Sequence, residues 1–156
     1  MAEHLPLNLL TELAQQDLDD AARKLGAQQA QRTEAERQLQ ALVAYRHEYR
    51  NRLQTATQDG MAAAGWRNFQ QFIDTLDVAI GRQRDLLVLA EQKVAAAQHD
   101  WQQHKQRLNS FETLASRAQA REDVRTARRE QKDNDEYAAK LSRSRQTLHD
   151  TKERAC

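Results

Sequence analysis

Apolar and small residues recur along the chain at alternating steps of four and three. The first series runs Ala14, Leu18, Ala21, Leu25, Gln28, Arg32, Ala35, Leu39, Leu42, Arg46, Tyr49, Leu53 and Ala56. A second runs Trp66, Phe69, Ile73, Leu76, Ile80, Gln83, Leu87, Ala90, Val94, Ala97, Trp101, His104, Leu108, Phe111, Ala115 and Ala118. Both keep a repeat of seven, the signature of a left-handed coiled-coil seam. Between them the stretch Thr57 to Trp66 holds Gly60 and Gly65 and interrupts the helix-forming sequence. The pattern predicts a first helix over about 6–57, a turn over about 58–65 and a second helix over about 66–150. Folding back at the turn sets Leu53 opposite Phe69, Tyr49 opposite Ile73, Leu42 opposite Ile80, Ala35 opposite Leu87 and Ala21 opposite Trp101. Small meets large at the last of these layers, as close packing requires.

The fold class that follows is all-α, a long antiparallel two-helix coiled coil, taken as one elongated domain over 1–156. The second seam outlasts the first. From Arg117 to Arg154 there are eleven Lys or Arg and eight Asp or Glu, with Val124, Tyr137, Leu141 and Leu148 as the larger apolar residues. That segment is expected to overhang as a helix fraying toward the C-terminus, disordered there or ordered on a partner.

Composition supports a line of burial rather than a ball. Aromatic residues make up 5% and charged residues 30% of the chain, which leaves little bulk for a three-dimensional core. A net charge of +1, from 24 basic and 23 acidic residues mixed along the sequence, provides no broad field of one sign for a nucleic-acid backbone. Nucleic acid is therefore not expected as a partner. The longest apolar run, Leu86 to Ala90, is far too short to span a bilayer, and no basic segment followed by an apolar one opens the chain. A soluble protein outside the general secretory route is expected. Cys156 is the single cysteine and suits a reducing compartment or an incidental terminal thiol.

Candidate chemistry is sparse. His47 and Glu48 begin a zinc-protease pattern that fails at Asn51, and His4, His99, His104 and His149 lack ligand neighbours at helical spacing apart from His99 with Gln103. No phosphate loop, nucleophile elbow or carboxylate pair in a pocket is present. Neither an enzyme, a cofactor nor a metal is expected. The polar seam residues Gln28, Arg32, Arg46, Gln83 and His104 are read as devices that fix register. Five of the eight aromatic residues, Tyr45, Tyr49, Trp66, Phe69 and Phe72, flank the turn. Tyr45 and Phe72 each stand one position before a seam residue, and Val43, Val78, Ala79 and Leu89 are off the seam as well. Two readings remain open: these side chains broaden the core beside the turn, or they form an exposed apolar patch for a partner.

Four stretches resemble the flagellar type III export protein FliJ family: DDAARKLG (Asp19 to Gly26), QLQALVAYRHEYRNRL (Gln38 to Leu53), WRNFQQFIDTLDVAI (Trp66 to Ile80) and KVAAAQHDWQQHKQRL (Lys93 to Leu108). A weaker echo is DNDEYA (Asp133 to Ala138). The paired aromatic blocks around the turn are the most specific part. The resemblance implies a non-enzymatic part of the export apparatus, cytoplasmic and peripheral to the inner membrane at the flagellar base. It implies a hairpin similar to the gamma subunit, the central stalk of a rotary ATPase, whose terminal end enters the hexameric export ATPase FliI. It further implies contact with the export gate protein FlhA and with the chaperones FlgN and FliT.

The gate-binding patch carried over by the resemblance is Gln38, Leu42, Tyr45, Tyr49, Phe72, Leu76 and Ala79, and at its next position this chain has Gln83 where the family can have His. Leu42, Tyr49 and Leu76 also belong to the seam. The second helix lacks a Ser or Asn cap, with Ala63 and Ala64 where one is expected, so its start is weakly capped. Competing readings are an adaptor or chaperone-like coiled coil that never acts on the ATPase, and a structural coiled coil that pairs between chains.

Overall fold

The computed structural model describes the backbone of residues 4–155 and side chains from Pro6 onward. Cys156 and the His4 side chain lie outside the described residues. Among the described residues there are two helices and no strand: α1, His4–Gln58, and α2, Ala63–Arg154. Pro6 falls in the first turn of α1, where its missing N–H breaks no hydrogen bond.

A two-bond cap ends α1. The Met61 N–H donates to the Ala56 carbonyl at 3.1 Å and the Gly60 N–H to that of Thr57 at 3.3 Å. This pairing satisfies carbonyls that the helix end would otherwise leave open, and it needs a left-handed residue, which Gly60 supplies with φ 90°. The helix α2 starts at Ala63, earlier than the seam suggests, because Ala62, Ala63 and Ala64 are the strongest helix formers and propagate the helix backward from Gly65. The first bond into α2 runs from the Trp66 N–H to the Ala62 carbonyl at 3.1 Å. No acidic side chain stands in that first turn, and alanine is a poor N-cap. Met61 folds over Gly65, where an added Cβ would meet its Cγ at 3.2 Å.

Packing divides the chain into two compact units. In the unit Leu13–Leu108 the seam residues are buried or half-buried throughout, with Trp66 as the exception. Ala14, Leu18 and Ala21 on α1 and Ile73, Leu76, Ile80, Val94 and Leu108 on α2 are the most enclosed, and Ile80 is 1% exposed. Polar seam residues pair across the helices as a register device should. The Gln83 side-chain amide donates to the Ala35 carbonyl at 3.1 Å, and Arg46 meets Asp77 at 3.0 Å. Farther along α1, Gln28 Oε1 and Arg32 Nε are buried and meet no partner among the described residues. Trp66 is 45% exposed. Its seam neighbour across the turn is Ala56, too small to cover an indole, and α1 ends two residues later at Gln58.

The other unit joins the residues up to Glu12 with those from Asn109. Here the α1 seam extends two steps earlier than the sequence pattern shows, since Leu7 and Thr11 are half-buried, as are Phe111, Ala115 and Ala118 on α2. From Gln119 to Ala155 every residue is exposed. The helix nevertheless continues to Arg154 instead of ending near residue 150. Strong helix formers and local pairs such as Gln119 with Asp123 at 2.9 Å and Arg125 with Glu122 at 3.7 Å support it.

Candidate partner-binding site

The seam leaves two flanks. Residues one position before Arg46, Leu53, Ile73 and Ile80 lie on one of them, and residues one position after Leu42, Tyr49 and Leu76 lie on the other. The first flank therefore receives Gln38, Tyr45 and Arg52 from α1, seven residues apart, and Phe72, Ala79 and Leu86 from α2, also seven apart. Antiparallel pairing brings these two rows side by side.

Four rings gather there. Tyr45 and Tyr49 lie 5.1 Å apart between centroids, Tyr49 and Phe72 4.4 Å, Tyr49 and Phe69 6.2 Å, and Tyr45 meets Phe72 edge-on at 6.4 Å. Tilted and edge-on contacts at these separations are favourable beyond the area they bury. The Arg52 guanidinium caps the outer side, 5.5 Å from the Tyr49 centroid, while its Nη2 donates to Glu48 at 2.7 Å. Hydrogen bonding with Tyr49, reinforced by the charge Tyr49 acquires on ionisation, holds the Tyr45 phenol above its ordinary range.

Tyr45 and Phe72 remain 46% and 39% exposed although they touch each other. They neither enter the core nor stand alone; they form the surface of a stack whose inner members are Tyr49 and Phe69. Leu42 and Ala79 are half-buried, and Gln38 is exposed with its amide donating to Glu34 at 3.2 Å. Leu76 is a core residue, 7% exposed, and Gln83 is buried on the seam. The expected patch is thus of two kinds: side chains that a partner can reach, and side chains beneath them. Three histidines are engaged along their own helix, His99 with Gln103 at 3.1 Å, His104 with Asp100 at 3.6 Å and His149 with Glu153 at 3.7 Å.

Residues 3–147 match the family model described as Flagellar FliJ protein. The chain is 41% identical over 142 residues to the Flagellar FliJ protein of Salmonella typhi, covering 91% of this chain and 97% of the relative. It is 40% identical over the same span and coverage to the Flagellar FliJ protein of Escherichia coli (strain K12). The chain belongs to the FliJ family. As a FliJ-family protein it is a component of flagellar export, and the hairpin is the coiled coil expected of it. Among the described residues no helix is long and apolar enough to cross a membrane.

Two contributors to this FliJ-family surface escaped the sequence pattern, whereas Phe69, one of the aromatic residues flanking the turn, backs the stack through Tyr49. Arg52 stands seven after Tyr45, and Leu86 seven after Ala79 with 54% exposure. The signal for both was the seven-residue row through Tyr45 and Phe72, read along each helix instead of across the turn.

Proposed function

We propose that this protein is a non-enzymatic coupling factor of flagellar export. It associates with the FliI ATPase ring as a central stalk and presents the aromatic flank of the hairpin to the export gate protein FlhA. The chaperones FlgN and FliT dock on it as well, and it works in the cytoplasm at the inner-membrane base of the flagellum. One observation carries the reading: an aromatic stack assembled from two distant segments leaves Tyr45 and Phe72 exposed side by side on one flank of the hairpin. Large exposed aromatics backed by packed ones make a preorganised anchor with little side-chain entropy left to lose. The reachable gate residues are Gln38, Tyr45, Phe72 and Ala79, with Leu42, Tyr49 and Leu76 holding them from below.

The double variant Tyr45→Ala, Phe72→Ala should lose most binding to the gate's cytosolic domain in a pull-down while circular dichroism and melting stay nearly unchanged. A large loss of helicity would instead make these residues part of the core. Turnover by the purified ring, with and without the protein, separates a stalk from an adaptor. No stimulation and no association with the ring would leave only the adaptor.

A further inference from the structure

The second flank has a different chemistry. It carries Val43 and Arg50, which follow seam residues Leu42 and Tyr49, and Asp77, which follows Leu76. On α1 a shallow groove of about 520 Å³ opens here, with Leu39, Val43 and Ala44 as an apolar floor and Arg46, His47 and Arg50 at one end. No acidic residue lines it. Asp77 is the carboxylate that meets its arginines, and it meets both through one oxygen: Oδ1 lies 3.0 Å from Arg46 Nη1 and 3.9 Å from Arg50 Nη2. Arg46 is largely covered and serves the register, whereas the Arg50 side chain is 55% exposed. One heptad along α2 from Asp77 stands Arg84, which has no ion pair among the described residues. Two guanidiniums thus share one carboxylate beside an apolar strip, and a third stands one heptad farther along the same flank.

We propose that this groove docks an acidic amphipathic helix of a partner protein. The ridge through Leu39, Val43 and His47 and the ridge through Gln40 and Ala44 leave between them the kind of furrow into which a helix sets its own ridge. Apolar side chains at i, i+3 and i+7 of the partner cover Leu39, Val43 and Ala44. Carboxylates beside that stripe take the donors that Asp77 leaves open on Arg50 and the guanidinium of Arg84, in the paired geometry that arginine favours. The charge excess selects an acidic flank and rejects a basic one. Because Tyr45 and Phe72 occupy the opposite flank, this docking is independent of the aromatic surface and of the function proposed for it.

The test uses the full chain and a fluorescent synthetic helix with leucines at heptad spacing flanked by glutamates, compared with the same helix carrying lysines in their place. Anisotropy should show binding of the glutamate helix alone, weakening as salt rises from about 50 mM to about 300 mM. Arg50→Glu should weaken it at least tenfold and Val43→Asp comparably, while Tyr45→Ala, Phe72→Ala leaves it unchanged. Arg50→Gln, which adds no new charge near Asp77, should weaken it about threefold, a loss of about 0.65 kcal/mol at RT ≈ 0.59 kcal/mol. Equal affinity for both helices, no binding of the glutamate helix, or undiminished binding by Arg50→Gln and Arg50→Glu would overturn the proposal. So would a loss confined to the Tyr45 and Phe72 variant.

Discussion

At the scale of single residues, Gly60 and Tyr45 show how local chemistry sets what the hairpin can do. Gly60 sits at φ 90° with open space around its Cα, so an added methyl group clashes with no neighbour and the cost is that of the left-handed backbone alone. Gly60→Ala should therefore lower stability by about 1 kcal/mol, and Gly60→Asn by less, as read from urea denaturation. Tyr45 offers a spectroscopic check on the stack. Its phenol is held above the ordinary range chiefly by the hydrogen bond with Tyr49, so the neutral form is favoured in the folded state. The sign follows: this contribution is complete below the pKa of the unfolded chain and is lost as pH rises through the higher folded value. In an absorbance titration at alkaline pH, Tyr45 should ionise later than a free tyrosine, and Tyr49→Phe should shorten that delay. The aromatic blocks around the turn were legible in the sequence, but the division of labour within them was not. Exposure of Tyr45 and Phe72 depends on how four rings tilt against one another, which no spacing rule specifies.

At the scale of elements, the seam was legible almost residue by residue because a single constraint, one narrow buried stripe on each helix, generates the entire pattern. Helix ends were less so. The start of α2 at Ala63 follows from alanine propensity rather than from a cap, and its continuation to Arg154 follows from propensity and local pairs with no apolar stripe to announce it. Trp66 departs from the seam for a reason of size, since the residue that should cover it is an alanine. The polar seam positions divide in the same physical terms. Gln83 and Arg46 have partners on the other helix, whereas Gln28 Oε1 is buried without one. A buried amide oxygen that meets no donor carries its desolvation cost uncompensated. Gln28→Leu should accordingly raise stability, by about 1 kcal/mol, and increase the melting temperature. The same change made at Gln83 should destabilise, because it removes the hydrogen bond that ties α2 to the Ala35 carbonyl of α1.

At the scale of the molecule, the decisive property is that one chain supplies both halves of its own coiled coil. Arg46 meets Asp77, Gln83 meets Ala35 and Tyr49 meets Phe72 within a single chain, so burial of both seams between Leu13 and Leu108 requires no second copy. A coiled coil formed between chains binds its two strands by mass action, and its unfolding midpoint rises with protein concentration. For the hairpin the strands are tethered by the turn at Gln58–Ala63, and closing a loop that short costs little entropy. The expected outcome is a melting temperature independent of concentration over about a hundredfold range, together with a mass near 18.0 kDa in sedimentation equilibrium. A midpoint that climbs with concentration would mean that the seams pair between chains. The aromatic flank would then be assembled from two molecules, since Tyr45 and Phe72 lie on opposite sides of the turn. The same measurement on Gly60→Ala sharpens the distinction. Straining the reversal lowers the midpoint of a hairpin by a fixed amount at every concentration, whereas an interchain coil that bypasses the turn loses nothing.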